Sequence, residues 1–167
     1  MSQTNELEIM ERIALDLEGV EESLASSFNT GAEDFNALIR PLSAAGGKRL
    51  RAQLCLLIAN AGTSVERQRI RIAEAVEMLH LATLIHDDVL DQAEIRRGEE
   101  TIHMHKGNKV AILSGDYLFA KAFQIVSEMP NMKYLQIFSH IITCLVEGEF
   151  MQMEDVYRID QGIERYM

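Results

Sequence analysis

Proline is scarce in this chain. Only Pro41 and Pro130 occur in 167 residues, and glycine is largely confined to breaks such as Gly46-Gly47. That excludes a turn-rich all-β design and favours helices. Basic residues are also short: 16 Lys and Arg stand against 26 Asp and Glu, a net charge of −10. Nucleic acid is therefore excluded as a partner, because its phosphates require a basic face. Cysteine is limited to Cys55 and Cys144, both in apolar runs without CxxC spacing. They read as buried thiols in a reducing compartment rather than a disulfide framework. No apolar run approaches the roughly 20 residues of a membrane helix. The acidic N-terminus (Glu6, Glu8, Glu11) is unlike a signal peptide. The expectation is a soluble, cytoplasmic protein without a transmembrane segment. What is present is ordinary for a globular domain: 47% hydrophobic and 25% charged residues, enough chain for one sizeable core.

The pattern along the chain predicts helices throughout one continuous domain. Leu7, Met10, Ile13, Leu17, Val20 and Leu24 recur at helical spacing over about residues 3–27. A second helix is predicted over about 33–43, kinked or split by Pro41. Gly46-Gly47 breaks the chain, and a third helix follows over about 48–61, closed by Gly62. Thr63 and Glu66 have capping-box spacing for a long helix ending near Asp91. Residues 92–107 read as a polar loop. Asn108 is placed as the cap of the next helix, which Pro130 ends, and a last helix covers about 132–157.

The chemistry begins at Asp87-Asp88-Val89-Leu90-Asp91. At 3.6 residues per turn, Asp87 and Asp91 lie about 40° apart, and Asp88 lies within about 60° of Asp91. Like charges at this spacing destabilise a helix, and the C-terminal end of the macrodipole disfavours them further. A hard divalent cation reverses both penalties, since Mg²⁺ typically joins one or two carboxylates to substrate phosphates. The bland alternative is an exposed acidic helix end.

A basic group accompanies it. Gly46-Gly47-Lys48-Arg49-Leu50-Arg51 places two flexible residues before a helix N-terminus, where free N–H groups and the dipole attract anions. Lys48 and Arg51 point to one side, with Arg suited to bidentate phosphate contacts and Lys to a point charge. Arg96-Arg97-Gly98 follows the last aspartate, and Glu94, Glu99 or Glu100 are its ordinary salt-bridge partners. His80 lies two turns before Asp87 on nearly the same face. His103 and His105 lack the Cys or third His that a zinc site needs. His86, Glu154 and Asp155 carry no distinctive signal.

Three segments, GGKRLR (46–51), LHLATLIHDDVLDQAEIRRG (79–98) and GDYLFAKAF (115–123), in this order and spacing, resemble the polyprenyl synthetase family of trans-isoprenyl diphosphate synthases. The resemblance is to the N-terminal half of a medium- or long-chain member. It implies an all-α fold, an antiparallel helix bundle of the isoprenoid synthase type, with residues 1–167 as one domain lacking its C-terminal half. It implies Asp87 and Asp91 as Mg²⁺ ligands, with Asp87, Asp88, Asp91 and Arg96 as the catalytic group. It implies Arg96 and Gln152 as contacts of the allylic diphosphate, and Lys48, Arg51, His80 and Arg97 as those of isopentenyl diphosphate. Two departures are local: Ala52 stands where the family usually has proline, and Gln92 where an aspartate is common. Two are larger: the second aspartate-rich motif and the Lys-Thr pair are absent.

The implied reaction is head-to-tail condensation of isopentenyl diphosphate with an allylic diphosphate to give a polyprenyl diphosphate for a quinone side chain. Catalysis would rest on electrostatic stabilisation of the leaving diphosphate and on alignment of two substrates. Below the aspartates, the growing chain is expected to run past Leu79, Ala82 and Thr83. Short-product relatives place aromatics at the positions of Ala82 or Thr83, so small residues there imply a long product. The implied assembly is a homodimer or a heterodimer with a synthase subunit. The alternative is a non-catalytic or truncated subunit that binds Mg-diphosphate, or a partner chain, without turnover.

Overall fold

The computed structural model describes residues 3–28, 33–44, 47–62, 65–156 and 162–163. The chain forms two compact units, Met1–Met129 and Pro130–Met167, each taken by itself below. The first holds α1 (Gln3–Ser27), α2 (Glu33–Ala44), α3 (Leu50–Asn60) and α4 (Glu66–Leu90). A minimal hairpin of β1 (Ile95–Arg96) and β2 (Glu99–Glu100) follows, then α5 (Ile102–Lys106) and α6 (Asn108–Ser127). The second unit consists chiefly of α7 (Met132–Asp155). The fold is all-α, as the residue pattern and the resemblance both implied.

Helix α4 is the centre of the first unit, packing on α1, α3, α5 and α6. It is buried on nearly every side, through Ala73, Ala75, Met78, Leu79, Leu81, Ala82 and Ile85, as an all-round contact helix must be. Three acids are buried with them, Glu74, Glu77 and Asp88, and a buried carboxylate is tolerated only with partners. Glu74 accepts from Ser23, Ser27 and Arg71 at 2.6–2.7 Å. A parallel device ties Asp16 of α1 to Asn60 and Arg69. Burial along α1 runs through Ile13, Val20 and Leu24, whereas Leu7 and Met10 stay exposed. Periodicity identifies the inward face of a helix but not how far its partners reach along it.

Several local expectations need correction. Pro41 does not split α2, which runs on to Ala44, although the proline has no N–H for the helical bond at its position. Thr63 lies outside the described residues, and Val65 holds the N-cap position of α4 without a side-chain bond. Asn108 is the first residue of α6 and Gly107 is its cap. Asn131 caps α7, accepting from the Lys133 N–H at 2.9 Å. Cys144 is exposed rather than buried, and Cys55 is half-buried. Against the expectation from apolar runs, α6 has the length and mean hydropathy, 1.2, of a membrane span. It packs on α4 here, burying Ala111, Ser114, Gly115, Leu118, Ala122 and Ile125.

Candidate functional site

The C-terminal end of α4 is closed by its backbone. Asp91 is the C-cap, and Gln92 follows in the left-handed region at φ 52°. The Gln92 N–H reaches the Val89 carbonyl at 3.4 Å and the Ala93 N–H reaches that of Asp88 at 3.0 Å. This is a Schellman closure with glutamine in the place that glycine usually takes. It stops the helix at the aspartate cluster and leaves the negative dipole end there.

The three aspartates then part company. Asp88 is buried and accepts from Arg96 Nε at 2.6 Å. Asp87 is half-buried and Asp91 exposed; among the described residues, no side-chain donor engages either. Burial raises the Asp87 carboxyl above its ordinary range, Asp91 adds to the rise, and Arg96 opposes it. The sequence placed all three on one helical turn, and tertiary contact selected Asp88 to hold the arginine.

That arginine comes from the hairpin, where the sequence suggested only a loop. Ile95 pairs with Glu100 and Arg96 with Glu99. The two linking residues, Arg97 and Gly98, have φ 54° and 86°, the positive pair of a type I′ turn. The Arg-Gly pair was the available signal, but two-residue strands are too short to show alternation. The turn sends Arg96 to Asp88 and brings the Arg97 guanidinium against Gly47: a side-chain carbon at 47 would meet it at 3.3 Å. The absence of a side chain at Gly47 leaves room for that approach. The hairpin therefore joins the start of α3 to the end of α4.

At α3, Arg51 Nη1 lies 3.1 Å from His80 Nε2. The guanidinium can only donate, so His80 accepts through a neutral ring. Burial lowers the His80 pKa, and Arg51, Arg97 and Arg96 lower it further against an opposing effect of Glu77. Lys48 is exposed, and its carbonyl accepts from the Gln53 side chain at 2.6 Å. Arg51, Arg97 and Arg96 thus all act on His80, and Arg96 acts on Asp87 as well.

Two features escaped the sequence reading. The α3 N-terminus is not open to an anion at every N–H: Glu77 Oε1 accepts from Ala52 N–H at 3.0 Å. Arg49, buried at φ 45°, pairs with Glu21 and Glu77. These carboxylates compensate the cation at the helix start. The other feature is His86, which docks on α6. Its Nε2 lies 3.1 Å from the Ile112 carbonyl and 3.5 Å from Asp116, and its ring is 5.5 Å from that of Phe119. Gly115 makes room for it. A glycine inside an apolar helix was the signal.

Of the chain-length positions, Ala82 is fully enclosed, Leu79 nearly so, and Thr83 retains exposed surface while donating to the His80 carbonyl at 2.9 Å. Gln152 is exposed on α7, in the second unit. His103 lies 3.0 Å from the Thr101 hydroxyl. Among the described residues, no group of three or more His, Cys, Asp or Glu side chains converges as a metal cage. Two uncommitted carboxylates four residues apart suit Mg²⁺, which takes few protein oxygens and completes its shell with water and phosphate.

Residues 32–167 match the polyprenyl synthetase family model; the chain belongs to that family. It is 33% identical to octaprenyl diphosphate synthase of Escherichia coli K12, covering 95% of this chain and 49% of that protein. It is 37% identical to heptaprenyl diphosphate synthase component 2 of Geobacillus stearothermophilus, covering 91% and 48%. The chain thus spans about half the length of the curated relatives it matches. Among solved structures it resembles heptaprenyl diphosphate synthase from Staphylococcus aureus, with TM-score 0.87 and 29% identity, covering 92% and 49%. It also resembles the Caulobacter crescentus CB15 polyprenyl synthase complexed with calcium and isoprenyl diphosphate, with TM-score 0.86 and 34% identity, covering 93% and 49%.

Proposed function

We propose that this chain provides the first metal cluster and the isopentenyl diphosphate pocket of a trans-polyprenyl diphosphate synthase. The observation that carries this reading is the hairpin contact. It sets Arg97 at the GGKRLR segment and Arg96 on Asp88 of the aspartate cluster, linking the basic segment to the acidic one.

In this reading Asp87 and Asp91 hold Mg²⁺, which supplies charge neutralisation to the allylic diphosphate. Arg96 adds a fixed cation beside that diphosphate, with Asp88 holding its guanidinium. Gln152 is assigned to the same substrate. Lys48, Arg51, His80 and Arg97 grip the isopentenyl diphosphate and orient its double bond. The allylic C–O bond breaks with both electrons leaving on the diphosphate. The double bond then forms the new C–C bond, and the departed pyrophosphate takes the proton that restores an alkene. The side chains contribute alignment and preorganised charge rather than a nucleophile. Small residues at 82 and 83 fit a long product, and Thr83 carries this part because Ala82 has no accessible surface. A soluble cytoplasmic protein, one isoprenoid synthase domain in its fold, and a homodimer or a synthase-subunit heterodimer complete the proposal.

Calorimetry with geranyl diphosphate in Mg²⁺ tests the assignment. Asp87→Ala with Asp91→Ala is expected to abolish Mg²⁺-dependent binding while helix content stays unchanged. Binding as tight as that of the unsubstituted chain would overturn it.

A further inference from the structure

One buried carboxylate touches the basic segment on both sides of Leu50. Glu77 Oε1 accepts from the Ala52 N–H at 3.0 Å, and Glu77 Oε2 lies 3.5 Å from Arg49 Nη1. Both side chains are nearly sealed, at 5% and 6% exposure. Arg49 is itself gripped by Glu21, with Nε–Oε1 at 2.6 Å and Nη2–Oε2 at 3.0 Å. Its backbone sits at φ 45°, ψ 37°, a left-handed conformation that non-glycine residues seldom adopt. That strained residue is the corner at which the chain turns into α3.

A buried ion pair of this kind adds little net stability over apolar packing, but it does demand one geometry. The geometry demanded here is a register. Glu77 stands one turn before His80 on α4, and Ala52 follows Arg51 on α3. Holding Glu77 to Ala52 therefore holds Arg51 to His80. We infer that Glu77, acting with Arg49, is a positioning residue that fixes the start of α3 on α4 and so shapes the isopentenyl diphosphate pocket. This rests on the reading of Lys48, Arg51, His80 and Arg97 given above. Glu77 does not itself meet the ligand: it is sealed, committed to protein donors, and of the same charge sign as a diphosphate. The Ala52 N–H supplies one of the two contacts in this chain; the proline usual in the family at this position would leave Glu77 its pairing with Arg49.

The test uses the full chain, with isopentenyl diphosphate and, separately, geranyl diphosphate plus Mg²⁺, each titrated calorimetrically into the unsubstituted protein, Arg51→Ala, Glu77→Ala and Glu77→Gln. Circular dichroism selects the folded variants. Glu77→Ala is expected to weaken isopentenyl diphosphate about tenfold or more, the scale of a small misplacement of a binding group. Geranyl diphosphate should change by less than about twofold on the same reasoning, since its ligands lie on another segment. Glu77→Gln keeps an oxygen for Ala52 and should recover part of the loss, and it stands in if Glu77→Ala does not fold. Loss of isopentenyl diphosphate binding in Arg51→Ala alone, with the Glu77 variants unchanged, would overturn the positioning role. Equal losses for both ligands in those variants would also overturn it, by showing a general structural defect. An unsubstituted chain that does not bind isopentenyl diphosphate, or an Arg51→Ala variant that binds it normally, would instead overturn the pocket assignment beneath.

Discussion

Placing a single methyl group on Gly115 probes how tightly α6 holds the end of α4. A side-chain carbon there would fall 2.2 Å from His86 Nε2, 2.4 Å from Cδ2 and 3.0 Å from Cε1. Ordinary contact begins near 3.4 Å, so the ring must move by about an ångström or more. It is not free to do so cheaply, being bound to the Ile112 carbonyl and packed near Phe119. Overpacking of this kind costs about 1–3 kcal/mol, and the lost hydrogen bond about 1 kcal/mol. Alanine returns about 1 kcal/mol through its better helix propensity. The net destabilisation of Gly115→Ala is thus about 1–3 kcal/mol, or about 3–10 °C in Tm for a chain of this size. Thermal unfolding followed by circular dichroism measures it. Adding His86→Ala removes the obstructing ring, so the double variant should recover most of the loss, a coupling expected only between touching residues. An unchanged or raised Tm in Gly115→Ala would refute the reasoning. Because His86 adjoins Asp87, the single variant should also weaken Mg²⁺-dependent geranyl diphosphate binding.

Gln92→Gly should raise stability by about 0.5–1 kcal/mol, because glycine takes the positive φ of the Schellman position without steric cost; urea unfolding reads this, and a lower midpoint would exclude the closure. The lowered His80 pKa means that the unfolded chain binds the proton more tightly than the folded one. Stability contributed by neutral His80 is therefore present above its ordinary value of 6.5 and is lost as pH falls through 6.5 toward the lower folded value. His80→Gln should flatten that part of the profile, and an identical pH dependence in the variant would place the titration elsewhere.

Much of the fold was legible because helices announce themselves through spacing and punctuation. The α1 and α4 spans follow from apolar periodicity and from the polar stretch after Asp91, and Pro130 marks the end of α6. The aspartate pair Asp87 and Asp91 was legible for the same reason, since a helix puts residues four apart on one face. Membership of the polyprenyl synthetase family likewise follows from three local motifs. What local pattern could not carry is the identity of a side chain's partner across the chain. It put Asp88 with the other aspartates, but the hairpin claimed it for Arg96. It read the basic segment as an open anion site, but Glu77, 25 residues beyond Ala52, came to occupy one of its N–H groups. It gave His86 no role, and α6 supplied one through Gly115. Sequence determines which residues share a helix face, because that geometry is set within a turn or two. Only tertiary structure decides which buried charge meets which, because that depends on how separate helices are registered against one another.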